Sequence, residues 1–354
     1  MDLAPESREK RQGDMIRFRR DFLRTAAATA ISASLPVQAM DTAARYVPVS
    51  KYDIAKLFND LPGDLGFKIY APSQRGRPGF SVQMNADRVL FAASSIKTFA
   101  LCEALRQAEL LPDSLGIGHA LETKELQLDA NVWSLGSPIF NPPNLSGIVS
   151  ERTALEAMIM RSDNTATDMI FNLAGVDNIR DLIESAGLTQ TSVPDSTRAF
   201  AGYLFGAQNY KTITWDELLE LASTGRIANP FLNNVQTLAS TAEDFVTYYS
   251  QALQGHFFQR GETLQEFRRI LTLCDYIYLI PLPLGVSAYA KSGNADAPGF
   301  HVRAFAGGIN VAGRWAYFAF ILNWYAPEAD DSATVQKLFA AINESLTRVR
   351  EFLS

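Results

Sequence analysis

Ser94-Ser95-Ile96-Lys97, Ser162-Asp163-Asn164 and Lys291-Ser292-Gly293 are the stretches of this sequence whose residue types could do chemistry together. A serine hydroxyl is a poor nucleophile until a base takes its proton, and a lysine kept partly neutral by burial and neighbouring cations is such a base. Ser94 follows a strand-like run ending at Leu90-Phe91-Ala92 and opens an apolar helix, so it stands where backbone N–H groups favour negative charge. Lys97 lies three residues on, about one turn along the same face, within reach of the Ser94 hydroxyl. Ser162, between two helical segments, is placed to relay a proton to a leaving nitrogen, and Asn164 to hold an amide carbonyl. Lys291 falls on a strand leading to Ser292-Gly293, where the missing side chain of Gly293 makes room for a ligand edge. The N–H groups of Asn294 and Ser94 would then form an oxyanion hole. Each run alone is weak: Ser7-Arg8-Glu9-Lys10 has the first spacing by accident, and a bland reading makes Ser94 a helix cap and Lys97 a solvated lysine. In this order, they point to acyl transfer through a serine ester.

These groups need a frame drawn from distant parts of the chain. Ile54, Leu57, Phe58 and Leu61 recur at helical spacing over residues 52–60, and Leu61-Pro62-Gly63-Asp64 ends that helix. Strand-like runs follow at 65–71 and 79–85, and a second hairpin is expected at 303–311 and 314–324, broken by Ala312-Gly313. The closing helix begins at a cap in Asp330-Asp331-Ser332 and carries the stripe Val335, Leu338, Phe339, Ile342 and Leu346. Between them the chain reads as helical at 95–110, 151–160, 165–174, 176–186, 215–224 and 241–254. This order predicts an α+β fold: an antiparallel sheet built from both termini, flanked by terminal helices, with an all-helical lobe inserted and a cleft at the junction.

The three motifs resemble those of the serine β-lactamases and penicillin-binding proteins, class A β-lactamases in particular, whose signatures are S-x-x-K, S-D-N and K-T-G. Residues 165–168, Thr-Ala-Thr-Asp, extend the likeness after S-D-N, and Lys291-Ser292-Gly293 is the Ser-for-Thr variant. The resemblance covers most of the chain, about residues 51–350, and implies a β-lactamase-like hydrolase domain without cofactor. It makes Ser94 the acylated nucleophile, Lys97 its proton acceptor, Ser162 the proton relay and Lys291 an anchor for a substrate carboxylate. Arg303 resembles the family arginine that pairs with that carboxylate, beyond a loop expected at 294–300. Class A enzymes also carry a Glu, with an Asn four residues later, that hold the water cleaving the acyl-enzyme. Residues 193–203 contain no Glu; Asp195 is the nearest acid, one methylene shorter, with Arg198 and Tyr203 as further candidates for part of that role. The expected activity is therefore class A-like hydrolysis of a β-lactam or related cyclic amide. The alternatives are a D-Ala peptidase or other amidase or esterase, and a non-catalytic acyl-trapping or ligand-binding module.

Composition narrows the partners. Hydrophobic residues make up 47% and charged residues 20%, enough for a large core, and the formal charge is −6. Residues 1–39 resemble a twin-arginine export signal: a basic run around Arg19-Arg20, a weakly apolar run from Thr25 to Leu35 too short to span a bilayer, and Val37-Gln38-Ala39 as a cleavage site. Residues 40–50 read as a linker. Export to the periplasm or medium is expected, with no membrane span and a monomeric state. The chain beyond residue 39 carries a charge near −8, which repels a phosphate backbone and argues against nucleic acid. His119, His256 and His301 have no metal-ligand spacing, so no metal is expected, and Cys102 and Cys274 read as semi-buried free thiols, with one bridge as the alternative. His301, two residues before Arg303, is a candidate for the cleft wall or a solvated loop.

Overall fold

The computed structural model describes residues 51–354, apart from 75, 111–114, 281, 298 and 328–330. The expected export signal and linker lie outside the described residues. A five-stranded antiparallel sheet forms the frame, in the order β2-β1-β9-β8-β7, from β1 (Asp64–Ala71), β2 (Phe80–Met84), β7 (Ser287–Ala297), β8 (Phe300–Val311) and β9 (Arg314–Trp324). It is thus assembled from both ends of the chain, as the distribution of strand-like runs predicts.

Both faces of the sheet are covered, which is why its central strands read as nearly continuous apolar runs rather than as half-polar alternation. On one face Phe305, Phe318, Phe320 and Leu322 pack with α1 (Lys51–Lys56), the turn after it and the C-terminal helix α12 (Ser332–Leu353). Phe58 stacks on Phe67 at 4.6 Å between centroids, and Val335, Leu338, Ile342, Leu346 and Val349 bury the expected stripe of α12. Asp331 fixes the start of α12 by accepting from the Thr334 N–H (3.1 Å) and the Trp324 indole N–H (3.0 Å). On the other face Ala304, Ala306, Ala319 and Ile321 meet the inserted lobe.

That lobe is mostly helical: α2 (Lys97–Glu109), α3 (Ile117–Thr123), α4 (Glu151–Met160), α5 (Asn164–Ala174), α6 (Val176–Ser185), α7 (Thr197–Leu204), α8 (Trp215–Ser223), α9 (Ala242–Ala252) and α10 (Gly261–Leu271), with the short α11 (Tyr276–Leu279) leading back to the sheet. It is not all-helical. Two ribbons interrupt it, one pairing β3 (Leu90–Phe91) with β6 (Ala239–Ser240) and one pairing β4 (Glu125–Leu128) with β5 (Gly147–Ser150). The expected loop at 294–300 is also absent: β7 runs on to Ala297 and pairs directly with Phe300, so the hairpin is tight. Cys102 and Cys274 are both free and buried.

Candidate active site

The turn that carries Ser94 is a 3₁₀ helix, Ala93–Ile96, running straight into α2. It is held from several sides. The Phe91 N–H donates to the Asn323 side-chain oxygen and the Asn323 amide donates back to the Phe91 carbonyl, both at 2.9 Å, while the Ala92 N–H donates to Leu238 O at 2.7 Å. Ala93 then adopts φ 48°, a left-handed conformation that costs a residue with a Cβ about 1 kcal/mol or more. Gly293 of the edge strand β7 presses on this turn: a Cβ there would stand 2.8 Å from Ser95 Oγ and 2.9 Å from Ser95 N, and closer still to Ala92 O. The missing side chain therefore makes room for the turn bearing Ser94, not for a ligand edge as the sequence suggested. Of the two adjacent serines, Ser95 is fully buried and donates to Ala92 O at 2.9 Å, whereas Ser94 is only half-buried.

Lys97, one turn along and fully buried, sends its ammonium to Ser162 O at 2.6 Å, Asn164 Oδ1 at 2.6 Å and Ser162 Oγ at 3.3 Å. Lys291 arrives from the opposite side, donating to the same Ser162 hydroxyl at 3.2 Å and to Ser292 O at 2.9 Å. Ser162 is positioned by strain and by a cap: its own φ is 56°, and the next residue, Asp163, caps α5 through the Ala166 N–H at 2.8 Å. The other Asp163 oxygen accepts from the Ile139 and Phe140 N–H groups, each at 2.9 Å, which ties the loop before β5 to the site. Burial first, and the nearby Lys291 cation second, hold the Lys97 amine well below the ordinary lysine value. Burial likewise lowers Lys291, against the pull of Cys274 and Asp275. The Asn164 amide, expected to hold a substrate carbonyl, donates to Leu135 O at 2.6 Å while its oxygen faces Lys97.

Two expected participants are engaged elsewhere. Asp195 accepts from Arg180 (2.7 Å), Gln236 (2.9 Å) and Lys211 (3.1 Å). Burial would raise its carboxyl, but these three donors outweigh it and hold it below the usual carboxylate range. Both of its oxygens thus serve to staple the segment from α6 to α8, a correction to the water-activating role suggested by the sequence. Arg303 pairs with both oxygens of Asp296 at 2.9 Å, and Asp296 also meets His301 Nδ1 at 2.9 Å. His301 is fully buried and stacks on Trp324 at 5.1 Å, so it is neither a cleft wall nor a solvated loop residue. Arg198 donates to Ala130 O and Trp133 O, and the Tyr203 ring packs edge-on against Tyr210, so neither stands in for the missing carboxylate.

Sequence reasoning passed over the groups that hold these residues. Asp168 accepts from the Thr197 N–H (2.6 Å), the Thr197 hydroxyl (2.7 Å) and the Arg198 N–H (3.0 Å), docking α7 on α5. Burial, opposed by those hydrogen bonds, raises its carboxyl to about 6. Asp275 accepts from the Ser292 hydroxyl at 2.8 Å. The only signal for Asp168 was its place in the run after S-D-N; Asp275 had none.

Residues 50–346 match the family described as the beta-lactamase enzyme family. The chain belongs to it. Among solved structures, TLA-3 extended-spectrum beta-lactamase is similar at 15% identity and TM-score 0.63, over 86% of this chain and 98% of that one. A beta-lactamase from Sphaerobacter thermophilus DSM 20745 is similar at 18% and TM-score 0.61, over 85% and 97%, and PBP-A at 18% and 0.59, over 85% and 94%. At these identities the likeness is one of fold. No curated protein sequence matches the chain. Among the described residues, no helix is long and apolar enough to cross a membrane.

Proposed function

We propose that this beta-lactamase-family protein is an exported serine hydrolase that forms an ester on Ser94, acting on a β-lactam or related amide. The observation that carries the reading is the convergence of two buried lysines on the Ser162 hydroxyl, one of them, Lys97, one helical turn after Ser94. Ser94 Oγ attacks the carbonyl carbon, its proton passes to the Lys97 amine, and the N–H groups of Ser94 and Asn294 receive the oxyanion. When the C–N bond breaks, the Ser162 hydroxyl delivers a proton to the departing nitrogen and is resupplied from Lys97. Burial of Lys97 beside another cation supports this role, because both favour the neutral amine that the first step needs. The leader pattern of residues 1–39 supports export to the periplasm or medium.

The commitment of Asp195 to Arg180, Lys211 and Gln236 favours a second reading, an amidase or peptidase like the penicillin-binding proteins, in which the ester on Ser94 is released slowly. Intact-protein mass spectrometry tests the core of both. Wild type mixed with a chromogenic cephalosporin or an activated ester is expected to gain the acyl mass on the Ser94 peptide, and Ser94→Ala to lose at least about a thousandfold in acylation rate. Absence of both adduct and consumption with every such reagent, or survival of either one in Ser94→Ala, overturns the proposal.

A further inference from the structure

We infer that the acyl half of the substrate carries an aromatic group, received on a shelf formed by Phe231, Phe300 and Tyr325. The inference rests on the acyl-transfer reading above and narrows it to a substrate class. It leaves the departing half, with any carboxylate on it, to Ser162 and Lys291.

The chemistry fixes which way the two halves of a substrate run. A carbonyl carbon attacked by Ser94 has its oxygen at the N–H groups of Ser94 and Asn294 and its departing nitrogen at Ser162, which Lys97 and Lys291 flank. The third substituent, the acyl group, therefore points away from Ser162. Strand β7 leads that way: Lys291 meets Ser162, Gly293 lies against the turn bearing Ser94, and Asn294 follows. Lys291, Gly293, Ala295 and Ala297 share the face turned to the inserted lobe, because their partners on β8, from Ala306 to Phe300, pack with that lobe. Beyond Lys291 this row holds no charge and nothing larger than a methyl until Phe300, opposite Ala297. Ala297 lies about 10 Å past Asn294, at about 3.4 Å per residue, which is roughly the reach of an acylamino arm ending in a ring.

The rings at the end of this row come from three distant parts of the chain. Phe231 and Phe300 stack at 4.9 Å between centroids, and Tyr325 packs on Phe300 at 5.3 Å. Beneath them Phe91, three residues before Ser94, meets Phe231 at 5.3 Å and Phe300 at 6.4 Å. Phe91 is sealed and tied to Asn323 by two hydrogen bonds, which joins the floor of the shelf to the turn that carries the nucleophile. The upper rings are not sealed: Phe231 and Phe300 are half-buried and Tyr325 is 78% exposed. Open ring faces on the acyl side of a reactive serine match a flat apolar group, because aromatic pairing adds to what area burial alone gives. A charged acyl group finds no partner among these rings.

The test compares benzylpenicillin with the penicillin in which methyl replaces the benzyl group, two compounds that share the lactam, the carboxylate and the departing nitrogen. The second-order rate constant is followed by loss of the lactam absorbance, and the Ser94 adduct by mass. The benzyl compound is expected to react at least about tenfold faster with the wild-type protein, the scale of one ring packed among aromatic neighbours. Tyr325→Ala and Phe300→Ala are each expected to lower that ratio about threefold or more. Equal rates for the two compounds in wild type overturn the inference, while their reaction at Ser94 upholds acyl transfer. A ratio unmoved in a variant that keeps native circular dichroism overturns it too, since rings that only pack the hairpin would slow both compounds alike. Absence of both adduct and consumption with either compound overturns the acyl-transfer reading and the inference with it.

Discussion

Lys97 has three donors when charged and three oxygens around it: Ser162 O, Asn164 Oδ1 and Ser162 Oγ. The protein thus solvates a cation that burial and Lys291 simultaneously destabilise, and the balance decides when the amine turns into a base. Because both influences favour the neutral form, acylation is expected to rise with pH and to level off well below the ordinary lysine value of 10.5. Lys291→Met removes the neighbouring positive charge, so Lys97 holds its proton to higher pH. The rising limb of the pH profile of acylation should move upward in that variant, beyond any general loss of rate; an unmoved limb would show that the two amines do not sense each other.

At the scale of elements, the site exists because β7, the 3₁₀ turn and the α4–α5 connection press together, and Gly293 is where the pressing is tightest. Gly293→Ala drives a methyl into the backbone at Ala92 and Ser95. The expected result is a stability loss of about 1–3 kcal/mol by thermal or urea unfolding. Displacement of the turn bearing Ser94 by about 1 Å should cost roughly a hundredfold in acylation rate. Much of this layer was legible in the sequence. Helices α4 and α5 and strands β1 and β9 fall within a residue of their expected bounds, because each joins an apolar period to a cap or turn. Lys97, Ser162, Asn164 and Lys291, from all three motifs, meet through hydrogen bonds. Legibility failed where a side chain's role depends on its tertiary partner. Asp195 had the right place in the chain for a catalytic acid but finds three donors from α6, α8's approach and residue 236, and Arg303 had the right strand but finds Asp296. Helices α7 and α10 escaped notice because Thr197–Leu204 and Gly261–Leu271 adjoin loop-like stretches, and docking, through Asp168 for α7, contributes what local propensity does not.

At the scale of the whole molecule, two buried acids are expected to make stability depend on pH. Glu151, in the first turn of α4, has an Oε1 without a hydrogen-bond partner among the described residues, and burial, opposed by Lys124, raises its carboxyl to about 7. Asp168 is raised to about 6. For a carboxyl raised on folding, the folded state prefers the proton. Its contribution is complete below the unfolded value near 4 and is lost as pH climbs through about 6–7. Glu151→Gln is therefore expected to raise the melting temperature at pH 8, by the equivalent of up to about 3 kcal/mol, and to change little at pH 4. A variant equally stabilised at both pH values would refute this. The two cysteines lead further. Cys102 is sealed in the core of the inserted lobe and Cys274 in the core beneath the terminal helices, each with its thiol made less acidic by burial. Nature has thus placed one silent reporter in each half of the protein. A thiol reagent added under mild urea should tag them at rates that clock the opening of each half separately. Equal rates would mean that the two halves come apart as one cooperative unit, and unequal rates would identify which half lets go first.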